Sequence, residues 1–222
     1  PLAAGTKVAI IGDFAKNPRY QGAGSSMVNS TQVDVRLDKL TDSELNVVGY
    51  QQGFDRHGKP DAALQKSACE LAAQADTVIL CMGLDEIAES EGLDRSTMKL
   101  AQNQVNLLQA LAAVNPKIVV VLYCGSVVET PWLDKCQALL YAALGGQAGA
   151  GAVADALVGK VTPCGKLAET WPLSYADVPS AANFAGKKKT VEYREGLYIG
   201  YRYFDTVQKP VRFPFGYGLS YT

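Results

Sequence analysis

The stretch TVILCMGLDEIAESEGLDRS, residues 77–96, decides the architecture. Its first half is β-branched and apolar without alternation, so neither side can face water. That pattern suits a strand covered on both faces, as in a parallel sheet. Its second half carries five acidic side chains and one arginine and continues to about Lys99. That is longer than the roughly 2–6 residues that usually join a strand to the next helix.

Working outward, the same strand texture recurs in KVAII from Lys7, LNVVGY from Leu45, KIVVVLY from Lys117 and QALLYAA from Gln137. Helical patterns fall between and after them: DAALQKSACELAAQA from Asp61 with Pro60 just ahead, LAQNQVNLLQALAAV from Leu100, and AGAGAVADALVG from Ala148. Alternating strands and helices predict an α/β fold, a three-layer α/β/α sandwich with a mostly parallel sheet. Residues 1–222 read as one domain, with 173–222 as an extended arm that is rich in tyrosine and phenylalanine and lacks a clear period.

Composition narrows the function classes. The chain has 222 residues, 48% of them hydrophobic and 19% charged, and a formal net charge of −1. Lysine and arginine are scattered apart from GKKKT at 186–190, so no basic face is expected for nucleic acid or an acidic membrane. No apolar run reaches the ~18 residues of a membrane span, and the N-terminus lacks a signal-peptide layout. The strand that starts at Lys7 suggests a chain cut from something longer. Cys69, Cys81, Cys124, Cys136 and Cys164 are odd in number and far apart, and read as buried small hydrophobes in a reducing, cytoplasmic setting. His57 is the single histidine and reads as a surface-turn residue, so no histidine-based metal site and no cofactor is expected.

Three segments could carry chemistry. The acidic loop leaves the carboxyl end of a strand, where sheets of this class bind ligands; it is either a functional loop or a solvated acidic turn. NPRYQGAGSS, residues 17–26, follows the first strand, with Gly22 and Gly24 freeing the backbone and Ser25 and Ser26 offering hydroxyls that suit a sugar, or form a plain turn. GGQAGAGAVADAL places Gly149, Gly151 and Ala154 at dinucleotide-fingerprint spacing, with Glu169 about 20 residues on. It follows the fifth strand rather than the first, which speaks against nucleotide binding. Neither a nucleophile elbow nor a P-loop motif occurs.

Six ordered blocks, KVAIIGDFAKNPRYQGAGSS, ESEGLDR, NQVNLLQAL, GGQAGAGAVADALVGKVTPCGKLAETWP, VEYREGLYIGYRYFD and FPFGYGLSYT, together resemble the second domain of family 3 glycoside hydrolases of the bacterial β-glucosidase type. The resemblance runs over essentially the whole chain and implies an (α/β)6-type sandwich. It further implies part of a retaining β-glucosidase acting on a terminal β-glucoside or oligosaccharide. In such enzymes the nucleophile is an aspartate on a preceding (β/α)8 barrel, and a fibronectin-III-like domain often follows; neither is expected within these residues. ESEGLDR aligns the general acid/base with Glu91, leaving Glu89 as the runner-up, and matches Ser25 to a sugar-facing serine. Asp94 and Arg95 are expected to hold the loop as an ion pair. Glu86, Glu89 and the nucleophile are expected to push the Glu91 pKa upward. The alternative is a non-catalytic carbohydrate-binding or nucleotide-binding α/β domain.

Overall fold

A computed structural model describes residues 1–184 and 189–222; residues 186–188 of the GKKKT run lie outside them. Packing divides the chain into two compact units, the first made of 1–93, 100–126 and 132–162, the second of 94–99, 127–131 and 163–222. Patterning alone draws one domain with an arm from 173, whereas the second unit starts at 163 and takes in two short pieces from earlier in the chain.

The first unit is an α/β/α sandwich. Five strands, β1 (Lys7–Ile11), β2 (Asn46–Gln51), β3 (Thr77–Gly83), β4 (Ile118–Tyr123) and β5 (Ala138–Tyr141), form one sheet in the order β2-β1-β3-β4-β5. Every pairing is parallel. Burial follows position in the sheet. All seven residues of central β3 are buried, which is why that segment shows no alternation, while edge strands β2 and β5 are mostly half-buried. Truncating a core residue such as Leu80, which is fully buried, to alanine would cost about 2–5 kcal/mol.

The helices are α1 (Arg36–Thr41), α2 (Ala62–Ala72), α3 (Gln102–Val114) and α4 (Gly149–Val158). Right-handed crossovers from β1 out to β2 and back past β1 to β3 place α1 and α2 on opposite faces. Accordingly α1 packs on α4, and α2 on α3. Asp61 caps α2 by accepting from the amides of Ala63 and Leu64, both at 3.0 Å, so the helix begins just after Pro60.

Short α1 leaves no apolar stripe in the sequence: its buried residues are Leu40 and an arginine, Arg36. The Arg36 guanidinium is satisfied from inside, donating to the Tyr123 hydroxyl at 2.6 Å and to the carbonyl of Ala150 at 2.6 Å. It thereby ties α1 to β4 and to the start of α4. Buried Gln104 of α3 plays a similar part at the end of β3. It accepts from the Gly83 amide and donates to the Gly83 carbonyl, both at 2.9 Å, on the side of β3 where the pairing with β1 has already ended; the other side stays paired with β4.

In the second unit β6 (Trp171–Pro172) pairs antiparallel with β7 (Val211–Phe213), and α5 spans Tyr201–Thr206. Rings give the unit its cohesion: Trp171 meets Phe213 edge-on at 5.9 Å, and Phe213 stacks on Tyr217 at 4.9 Å. None of the five cysteines forms a disulfide; Cys81 and Cys124 are buried, Cys69 and Cys136 half-buried, and Cys164 exposed.

Candidate active site

Parallel sheets bind ligands beyond the carboxyl ends of their strands, at the point where the strand order reverses. Here the chain passes from β1 outward to β2, returns to β3 on the other side of β1, and continues to β4 and β5. Loops leaving β1 and β3 therefore part from one another, and a cleft of about 460 Å³ opens between them. Ser25 and Ser26 line it from the first loop, and Glu89, Ser90 and Glu91 from the acidic loop.

Glu91 is held from the β1 side. Its amide donates to the Ala23 carbonyl at 3.0 Å, and its carboxylate accepts from the Ser25 amide at 2.7 Å and from the Ser25 hydroxyl. Gly24 sits between these anchors at φ +99°, and a Cβ there would come within 2.7 Å of the Glu91 Cβ. Only glycine lets the two loops approach this closely. Glu91 is exposed, and the hydroxyl of Ser25, then its amide, hold the carboxyl below the usual glutamate range.

This corrects the expectation that Glu86 and Glu89 raise the Glu91 pKa. Each neighbour has donors of its own. Arg56 grips both oxygens of Glu86, at 3.1 and 2.5 Å, reaches Asp13 at 2.5 Å, and lies 4.4 Å over the Phe14 ring. Burial alone would raise Glu86, but Arg56 outweighs it and the carboxyl falls below its ordinary range. Glu89 pairs with Arg19 at 2.8 Å, accepts from the Gly125 amide at 2.8 Å, and takes the Ser126 hydroxyl on its other oxygen. Buried Asp85 accepts from the amides of Ala88 at 2.7 Å and Ile87 at 3.1 Å, and faces His57 Nδ1 at 2.8 Å. His57 is thus a half-exposed turn residue with a structural partner.

Comparison with known proteins agrees with this architecture. The family model described as "Glycosyl hydrolase family 3 C-terminal domain" matches residues 1–221. The chain belongs to that family. It is 46% identical to thermostable beta-glucosidase B of Acetivibrio thermocellus, over 100% of this chain and 30% of the relative. It is 45% identical to an exo-alpha-(1->6)-L-arabinopyranosidase of Bifidobacterium breve, over 100% of this chain and 29% of that protein. Among solved structures, a Bifidobacterium adolescentis GH3 beta-glucosidase superposes with a TM-score of 0.95 at 47% identity, over 100% of this chain and 33% of the other. The chain spans about a third of the length of the relatives it matches.

Within this family 3 domain the sequence-derived candidates separate. Glu91, Ser25 and Glu89 come together at one cleft. Asp94 and Arg95 belong to the second unit, where Arg95 donates to the Val127 carbonyl at 2.9 Å. Gly149 and Gly151 open helix α4 itself, with seven residues between it and the end of β5, so the tight strand-to-helix turn that cradles a pyrophosphate is not formed there. Sequence pattern gives no sign that Arg19 and Arg56 build the site, and marks Gly24 only as a source of backbone freedom. Arg19 and Gly24 stand inside NPRYQGAGSS, but their partners lie about 65–70 residues away, so a local pattern gives no sign of the contacts.

Proposed function

We propose that this chain is one domain of a longer retaining glycosidase that acts on β-glucosides, and that Glu91 is its general acid/base. One observation carries the reading. Of Asp85, Glu86, Glu89 and Glu91, only Glu91 meets an open cleft while held by uncharged donors alone; Glu86 and Glu89 are locked to arginines and Asp85 faces His57. A carboxyl so placed is fixed in direction yet free to gain and lose a proton. Family membership and the names of the relatives support the same reading.

A retaining mechanism needs two carboxyl groups about 5–5.5 Å apart, one attacking the anomeric carbon and the other protonating the departing oxygen and then activating water. Glu91 takes the second role, and the nucleophile belongs to a barrel supplied by the rest of the protein. In the free domain Glu91 is ionised at neutral pH. Covering the cleft with a second domain removes water and brings up another negative charge, and both raise the pKa toward what an acid catalyst needs. Without that partner the isolated chain turns over no aryl β-glucoside.

The test is Glu91→Gln in the full-length enzyme. Turnover of alkyl β-glucosides, whose leaving groups need a proton, falls by roughly 10²–10⁴-fold, while the first step with dinitrophenyl β-glucoside is little changed and azide restores release of the sugar. Equal losses on both substrates without azide rescue overturn the assignment. β-Glucosides and α-L-arabinopyranosides are assayed side by side, because relatives bear both names.

A further inference from the structure

We infer that Arg19 is the positioning residue that aims Glu91, and that Glu89 is its tether rather than a second proton donor. The inference rests on the reading of Glu91 as acid/base. Arg19 follows β1 and has a side chain only 1% exposed. One guanidinium nitrogen, Nη1, donates to the Leu84 carbonyl at 2.9 Å and to Glu89 Oε2 at 2.8 Å; the other, Nη2, donates to the Glu89 carbonyl at 2.7 Å. Leu84 and Glu89 mark the two ends of the first turn of the acidic loop. A single planar group therefore staples that turn shut, which only the fork of an arginine can do.

Glu89 carries the staple further. Its oxygens take the amide of Gly125 and the hydroxyl of Ser126, both in the loop after β4. Oε2 thus accepts from two donors and Oε1 from one, so the Glu89 carboxylate is committed mainly to holding the loop. Two residues on, Glu91 returns to the segment that bears Arg19, through the Ala23 carbonyl and through Ser25. Residues 19–25 thus hold Glu91 from both sides: Arg19 fixes the chain that leads to it, and Ala23 with Ser25 fixes the carboxylate. Three strand-end loops meet at the Arg19–Glu89 pair on the wall of the cleft.

The experiment uses the full-length enzyme with Arg19→Met, Arg19→Lys and Glu89→Gln, each measured on methyl β-glucoside and on dinitrophenyl β-glucoside beside Glu91→Gln. A misaimed acid harms only the substrate that needs a proton. Arg19→Met should lose roughly 10²-fold in kcat/KM on the methyl glycoside, mainly in kcat, and less than about tenfold on the dinitrophenyl glycoside. Arg19→Lys should recover part of the loss. A loss of equal size on both substrates, or none on either, overturns the role of Arg19. If Arg19→Met does not fold, Glu89→Gln carries the test: it keeps the shape, removes the tethering charge, and should give the same substrate-dependent loss; an equal loss or no loss refutes the proposal. Glu91→Gln keeps the two readings apart. A leaving-group effect there with none at Arg19 sinks the positioning claim alone, whereas no effect at Glu91 sinks the acid/base assignment first.

Discussion

Gly24→Ala puts the closeness of the two loops to a quantitative test. At φ +99° an alanine bears a strain of about 1–2 kcal/mol. The new methyl also lands 2.7 Å from the Glu91 Cβ and 3.2 Å from its Oε2. Carbon atoms rest about 3.5–4.0 Å apart, so Glu91 must retreat by about 1 Å, a displacement that costs roughly 10²-fold when it falls on a catalytic group. Gly5→Ala is the control. Its φ of +76° imposes comparable strain, but no atom lies within 4 Å of the added methyl. Urea denaturation of the chain should show both variants less stable by about 1–2 kcal/mol from strain. Kinetics of the full-length enzyme on an alkyl β-glucoside should show a large loss for Gly24→Ala and no more than a twofold change, roughly, for Gly5→Ala. A folded Gly24→Ala enzyme that stays within about threefold of its parent on that substrate refutes the reasoning.

Two further outcomes follow from the charge arrangement. Ser25→Ala removes the strongest donor to Glu91, so the Glu91 pKa in the isolated chain, read by carbon NMR of the carboxyl, should rise toward its ordinary value; an unchanged titration would show that the hydroxyl does not hold it down. Burial would raise Asp85, yet the Ala88 amide, His57 and the Ile87 amide bring its carboxyl below the usual range. A lowered folded-state value stabilises the ionised form. The benefit is therefore full above the unfolded pKa of about 4 and disappears as pH falls through the lower folded value. Asp85→Asn should cost about 1–2 kcal/mol in urea denaturation at pH 7, and the gap from the parent should close in acid; a gap that is constant with pH would contradict this.

Much of the sandwich is written locally. β3 is legible because a strand buried on both faces has no polar side to alternate with, and α2 because Asp61 and Pro60 mark its start. Short α1 is not, since its inward residues are Leu40 and a buried arginine whose partners are Tyr123 and Ala150. Glu91 could be located from its motif, but its protonation could not. Closeness in sequence suggests that Glu86 and Glu89 act on it, whereas in space each has already been taken by an arginine 30 or 70 residues distant. Charge counted along a chain measures field only when the counter-charges are near in the chain as well.

The Arg19 staple also sets a rule for anyone building chimaeras from this fold. Moved alone into a foreign scaffold, the acidic segment would arrive with Glu89 bereft of its guanidinium and with the donors at Gly125 and Ser126 missing. The portable cassette is three pieces of the first unit that travel together: residues 19–25, 84–91 and 125–126. Grafts respecting that grouping should keep the Glu91 carboxylate in register, and grafts that split it should fold around a carboxylate pointing elsewhere.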